Sequence, residues 1–307
     1  MGRNRNLFQQ FNNAITSSFN EGTDKHGYKR ENGFGDSDKI FSYSSLNNMR
    51  DFARNFSNYL KENFSDIKRL DQVREEHLQS FLNDKNEKGC SQNTLNLYKS
   101  NLDKLENLIN KRYEGCNWDF KDKVKTPTSA KQFDPARGAG STMTEEDYNK
   151  LKEYLSEHRS TSGDALLAQD SLGFRVEELA QLKVGDVDLE KGELTFNNTK
   201  GGKEIKRDIS NVKDIFKRNM EGKNPEDKIF NIKSDSINQQ LSRVQDKLGL
   251  EKHSNHNIRR LLAQQKFNEC RNSGMFKQEA LDTTSNWLNH NAGRNDLLAK
   301  SYIKNIW

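Results

Sequence analysis

The second half of the chain carries a set of side chains suited to holding an anion. In "SLGFRVEELAQLKVGDVDL", Arg175 follows a Gly turn and opens a helix. A cation is disfavoured there, because the start of a helix is the positive end of its dipole. Arg175 therefore needs a compensating anion, either Glu178 one turn on or a ligand phosphate. Lys200 stands at the tip of "TKGGK", where a long ammonium side chain reaches into a groove or into solvent. In "HNIRR", His256 and Arg259 lie three apart, as neighbours on one helical face. Both can donate to one anion, and the planar guanidinium can do so through two N–H groups. Finally, "WLNHNAGRNDLLAKSYIKNIW" places His290 twelve residues before Tyr302. Leu298, Tyr302 and Ile306 fall at i, i+4 and i+8, so Tyr302 either packs a terminal helix or is placed to react.

The elements that must position these residues are mostly helices. "MRDFARNFSNYL" sets Phe52, Phe56, Tyr59 and Leu60 on one face. Val73, Leu78, Phe81 and Leu82 repeat the pattern, and Leu95, Tyr98, Leu102, Leu105 and Ile109 form a longer stripe. Residues 39–120 therefore read as a helical bundle with Lys and Arg on its outer faces. Residues 1–38 read as a short helix followed by a flexible arm. Residues 121–141 hold Pro127, Pro135, a Gly-Ala-Gly run and several lysines, and read as a basic linker. A second domain, 142–307, starts at Thr144, a helix cap followed by Glu145, Glu146 and Asp147. Within it, "GELTFNNTKGGKEIKRDIS" reads as a β-hairpin turning at Gly201-Gly202. The fold class expected is mainly α with a small β-hairpin or sheet (α+β).

Composition narrows the partners. The chain has 307 residues, 32% of them hydrophobic and 31% charged, with a net charge of +5. No apolar run approaches the roughly 20 residues that span a bilayer, and the first residues lack the apolar core of a secretory signal. A soluble, cytoplasmic protein with no membrane partner is expected. Cys90, Cys116 and Cys270 are odd in number and far apart, which argues for a reducing compartment without disulfides or a zinc site.

Taken in order, Arg, Lys, His-x-x-Arg, His and Tyr resemble the signature of the tyrosine recombinases, the lambda-integrase type of phage and mobile-element integrases. "LGFRVEELAQLKVGDVD" is similar to the family's first arginine box, "TKGGKEIKR" to its hairpin, "HNIRR" to its second box and "WLNH" to its Leu-Gly-His. The resemblance covers residues 39–307. It implies catalytic roles for Arg175, Lys200, His256, Arg259, His290 and Tyr302, with the tyrosine as nucleophile. It also implies a helical core-binding domain that forms a clamp on DNA with the catalytic domain. The function implied is site-specific cleavage and rejoining of DNA through a 3′-phosphotyrosyl bond, with no metal, cofactor or ATP. The partners implied are double-stranded DNA recombination sites, a homotetramer on two duplexes and accessory DNA-bending factors, in a bacterial or phage nucleoid setting. Two alternatives keep the same fold: a type IB topoisomerase-like enzyme and a non-catalytic DNA-binding regulator.

The chain departs from the family pattern in three places. Asn289 stands where the family has Gly. The family's tyrosine usually follows the histidine by about nine residues, two and a half helical turns; here it follows by twelve, with "NAGRND" expected as a longer loop in which Arg294 could share the task of His290. Only five residues follow Tyr302, so an element exchanged between subunits would be very short or come from another segment.

Overall fold

The computed structural model describes residues 6–33, 38–131, 141–197, 204–290 and 293–307. The chain forms two compact units, Met1–Phe133 and Asp134–Trp307.

The first unit is helical: α1 (Leu7–Ser17), α2 (Lys25–Asn32), α3 (Tyr43–Asn63), α4 (Glu75–Glu87) and α5 (Gln92–Arg112). The faces expected from the sequence are the faces buried. Phe52, Phe56, Leu60, Phe81, Leu82, Leu102, Leu105 and Ile109 meet in one core. Polar side chains start the helices: Ser42 caps α3 and Ser91 caps α5, each accepting a backbone N–H in the first turn.

The short helix expected at the start of residues 1–38 is α1, which belongs to the core, and the stretch expected as an arm after it contains α2. Asn6 caps α1 through a reciprocal box with Gln9. Leu7, Phe11, Ala14 and Ile15 then share one buried face. Phe11 is fully buried and its ring stands 5.8 Å from Phe56 and 6.2 Å from Trp118. Apolar residues at i, i+4, i+7 and i+8 were too few in an Asn-rich stretch to announce a core helix. The linker expected over 121–141 also differs in its first half. Val124 is buried, the Lys125 amide donates to Gln79 and the Ser129 amide donates to Gln92. This stretch is fastened to α4 and α5; residues 132–140 lie outside the described residues.

The second unit contains α6 (Glu145–Glu157), α7 (Thr161–Leu172), the short α8 (Val176–Leu179), α9 (Lys213–Met220), α10 (Ser234–Leu248), α11 (Asn255–Asn272), α12 (Lys277–Trp287) and α13 (Asn295–Ser301). The expected hairpin is present as β2 (Glu193–Phe196) and β3 (Ile205–Asp208), antiparallel, with Glu193 opposite Asp208 and Phe196 opposite Ile205. A two-residue strand, β1 (Val187–Asp188), adds to β2 and makes an antiparallel sheet in the order β1-β2-β3. The Gly201-Gly202 turn lies outside the described residues. α6 to α10 and the sheet enclose the main core, and α11 contributes Ile258, Leu261 and Leu262 to it. A smaller core, built from α11, α12 and α13, contains Phe267, Leu281, Leu288, Leu298 and Tyr302. No described helix is long and apolar enough to cross a membrane.

If α1 belongs to the first core, truncating its central aromatic is expensive. Phe11→Ala is expected to cost about 3–5 kcal/mol of stability, the range for a fully buried Phe. Urea unfolding followed by helical circular dichroism checks this; a loose arm would leave the unfolding midpoint unchanged.

Candidate active site

Arg175 owes its place to the end of α7. That helix stops at Gly173, whose φ of 62° is left-handed and suits glycine. A Cβ there would lie 2.6 Å from the Trp287 ring, so the close packing of α12 also requires glycine. Buried Gln169 donates to the Phe174 carbonyl at 2.8 Å and fixes the turn that follows. Arg175 then caps α8. Its amide donates to Glu178 at 2.7 Å and its Nη1 donates to the same carboxylate at 3.1 Å. This carboxylate is the anion that a cation at a helix start requires. The Arg175 side chain remains 28% exposed, so the pairing does not use it up.

His256 and Arg259 sit in the first turns of α11, which Ser254 caps. Arg259 is 1% exposed. Its Nε donates to the Gly173 carbonyl at 2.8 Å, and Nη2 donates to the carbonyl of Leu288. Nη1 is 3.5 Å from the Tyr302 hydroxyl. Burial, with Arg175 nearby, lowers its pKa to about 10, which still leaves it charged at neutral pH.

His290 follows α12 through a glycine-type cap without glycine. Asn289 has φ 54°, the one non-glycine residue with positive φ among those described. The His290 amide reaches back to the Ser285 carbonyl and the Asn289 amide to that of Asn286. This is the Schellman pattern, in which Asn is the second choice after Gly. The departure at Asn289 therefore preserves the backbone the family's Gly provides. Asn289 also reaches Glu178 at 3.5 Å, joining the His290 loop to the Arg175 turn.

Tyr302 lies between the two histidines. Its ring centroid is 5.1 Å from that of His256 and 5.0 Å from that of His290, both edge-on. The terminal stripe is corrected here: α13 ends at Ser301, Tyr302 caps it, and Ile303 is buried where a continuous helix would have buried Ile306. The tail instead runs along α11. Arg260 donates to the Ser301 carbonyl at 2.9 Å, Gln264 bonds the amides of Lys304 and Asn305, and Arg271 donates to Trp307.

The structure thus brings together Arg175, His256, Arg259, His290 and Tyr302. Lys200 lies outside the described residues. Arg294 is exposed, and its charge is felt at His290. Sequence reasoning missed Arg207 and Arg260. Arg207, on β3, alternates with exposed Lys206 and Asp208 and faces inward, a signal available once the hairpin was placed. Arg260 was read only as the second Arg of "HNIRR". Arg175, Arg207 and Arg259 all feel the buried carboxylate of Glu178, while Arg260 lies near Tyr302 and His256.

This excess of cations shapes the histidines. Desolvation first, then Arg260, Arg259 and Arg175, lower the His256 pKa to about 4, although the residue as a whole is exposed. Desolvation, Arg259, Arg175, Arg294 and His256 lower that of buried His290 to about 4. Both rings are neutral at pH 7. Nδ1 of His290 is buried with no hydrogen-bond partner among the described residues, beside the tyrosine.

A neutral pair of histidines flanking a tyrosine, with arginines beside them, has the chemistry to hold an anion next to a phenolic hydroxyl. Residues 141–273 match the model of the phage integrase family. That segment is similar to the tyrosine recombinases. The chain is 35% identical over 80 residues to the tyrosine recombinase XerA of Saccharolobus solfataricus, covering 26% of this chain and 28% of that protein. It is 29% identical over 160 residues to the XerA of Pyrococcus furiosus, covering 52% of this chain and 49% of that one. The matches therefore span about half the length of these relatives or less. Its fold is similar to that of a lambda integrase dimer bound to a COC′ core site, with a TM-score of 0.62 and 14% identity over 92% of this chain and 95% of the other. It is also similar to the Tn1549 transposon integrase in complex with transposon right end DNA, with a TM-score of 0.53 and 14% identity over 96% and 94%. The likenesses to solved structures extend the recombinase fold beyond the family-model match, to both units.

The neutral histidines make stability depend on pH in a stated direction. An unfolded histidine titrates near 6.5, so between about pH 6.5 and 4 the unfolded chain binds more protons than the folded one. Stability contributed here is full above about 6.5 and falls as the pH drops toward 4. Urea midpoints measured from pH 7 to 4.5 are expected to fall more steeply for the wild type than for a His256→Gln, His290→Gln variant. Equal slopes would place both rings in ordinary solvent.

Proposed function

We propose that this chain cuts and rejoins DNA by attack of Tyr302 on a phosphodiester. The observation that carries this reading is the placement of Tyr302 between His256 and His290, with its hydroxyl beside the guanidinium of Arg259. Arg175 and Arg259 hold the non-bridging oxygens and offset the charge that builds on them in the transition state. The Tyr302 oxygen bonds to phosphorus and the bond to the 5′-oxygen breaks, leaving a 3′-phosphotyrosyl link and a 5′-hydroxyl. His256 takes the phenolic proton. Lys200 gives a proton to the departing 5′-oxygen. His290 donates through Nδ1, the nitrogen that lacks a partner among the described residues, to a phosphate oxygen. The link conserves the phosphodiester, so a new 5′-hydroxyl can reverse the step and join different strands.

A histidine with a pKa near 4 is a weak base. The phosphodiester itself corrects this. Its negative charge offsets the arginines that depress His256, so the basicity of His256 rises when substrate is bound.

The first unit, with basic helix faces, is proposed as the core-binding domain that grips the duplex. Solved lambda integrases of similar fold are a dimer on a core site and a tetramer on a Holliday junction. By that likeness the working assembly of this chain is a tetramer on two duplexes.

The test uses a nicked duplex spanning the junction of the element that carries the gene. Wild type is expected to give a covalent protein–DNA band on a denaturing gel, and Tyr302→Phe none. Tight binding of that duplex without an adduct would overturn the enzyme reading in favour of a DNA-binding regulator. Relaxation of supercoiled DNA without strand exchange would instead favour a topoisomerase.

A further inference from the structure

Two arginines from different elements reach the same two helix ends in the same way. α7 and α12 each end with carbonyls that have no partner within their own helix. Arg259, from α11, takes the cap carbonyls: Nε donates to Gly173 and Nη2 to Leu288. Arg207, from β3, takes the last helical carbonyls: Nε donates to Leu172 at 3.2 Å and Nη2 to Trp287 at 2.5 Å. Its Nη1 donates to the carbonyl of Lys206 at 2.8 Å, so all three nitrogens of Arg207 are engaged with backbone. Arg259 keeps Nη1 directed at the Tyr302 hydroxyl.

Each tied end leads directly to a site residue. Arg175 comes two residues after Gly173, and His290 two residues after Leu288. The distance between the helix ends therefore sets the distance between Arg175 and His290. Two parallel guanidinium ties resist both sliding and hinging of one end against the other, where a single tie would leave a pivot. The planar fork is suited to this, since its N–H groups point along fixed and different directions.

We propose that Arg207 is a positioning residue for the reaction: it holds the ends of α7 and α12 in register, which sets Arg175 against His290 and leaves the Nη1 edge of Arg259 available to phosphate. This rests on the reading of the site as a recombinase centre. Arg207 touches neither the tyrosine nor the phosphate in this scheme; it acts through the residues it spaces.

The test compares Arg207→Met, which keeps much of the side-chain bulk, and Arg207→Lys, which keeps the charge but not the fork, in the full chain at temperatures where both are folded. Two quantities are read: the adduct rate on the nicked duplex at saturating and limiting DNA, and the midpoint of the His290 ring titration by NMR. For Arg207→Met, the saturating rate is expected to fall at least about tenfold with the half-saturating concentration within about twofold, the pattern of lost transition-state alignment rather than lost binding. The His290 midpoint is expected to rise from about 4 toward the ordinary value near 6.5, because water enters as the cations recede. Arg207→Lys is expected to fall between wild type and Met in both readings, and a rise there reports geometry, since the charge is kept. A folded Met variant with wild-type rate and wild-type His290 midpoint overturns the proposal. So does a raised half-saturating concentration with an unchanged saturating rate. If Arg207→Met does not fold, the Lys variant decides, and wild-type values for it in both readings overturn the proposal. If wild type itself gives no adduct, the recombinase reading fails, and the His290 midpoint alone decides the role of Arg207.

Discussion

The second unit is organised around one buried cation. Arg259 is almost wholly out of water, and an unpaired charge there would be strongly destabilising. Its compensation comes mainly from backbone dipoles: the carbonyls at the ends of α7 and α12, which are also the negative ends of those helices. The cation and the helix ends satisfy each other, and neither side is satisfied without the other. The packing around it follows. α12 must lie close enough for Trp287 to press on Gly173, and the residue at that turn must lack a Cβ. The turns leaving both helices then deliver Arg175 and His290 to the same place.

The remaining elements hold Tyr302 against this centre. The small core of α11, α12 and α13 takes its ring, and α11 fastens the following residues along one face through Arg260, Gln264 and Arg271. α11 thus supplies His256 and Arg259 at its start and the support for Tyr302 along its length. A helix that carries both the anion-holding groups and the seat of the nucleophile makes their separation a property of one rigid element. The exposed sheet strand β3 adds the inward Arg207, and Glu178 supplies the carboxylate that offsets the charges of Arg175, Arg207 and Arg259.

Much of this was legible in the sequence because it is written in local spacing. The helical stripes at Phe52–Leu60 and Leu95–Ile109, the hairpin and the ordered Arg, His-x-x-Arg, His and Tyr residues needed only period and order. The N-terminal helix was legible as a helix but its place in the core was not, because an isolated four-residue stripe cannot show that Phe56 and Trp118 wait to receive Phe11. Arg207 and Arg260 were not legible for a different reason. Their partners are carbonyls, which every residue has, so the sequence carries no sign of which ones will be met. The Asn289 departure looked like a defect and is not one: only the backbone shows that this position is left-handed, where Asn can replace Gly. The terminal stripe misled because Tyr302 falls where α13 stops, and beyond that point helical period no longer says which residue turns inward.

The same electrostatics that keep the site empty of protons prepare it for one kind of ligand. Burial first, and then the charges of Arg175, Arg259 and Arg260 near His256 and of Arg259, Arg175 and Arg294 near His290, hold the histidines neutral, and the hydroxyl of Tyr302 lies beside the guanidinium of Arg259. A neutral ligand would leave that positive charge in place. A dispersed anion with several oxygens, such as a phosphodiester, relieves it, and the relief is shared: the arginines gain a partner, His256 gains basicity, and Nδ1 of His290 gains an acceptor. Under the proposed function, binding and activation are one electrostatic event, and selectivity rests on the number of donors that must be satisfied together rather than on any single contact.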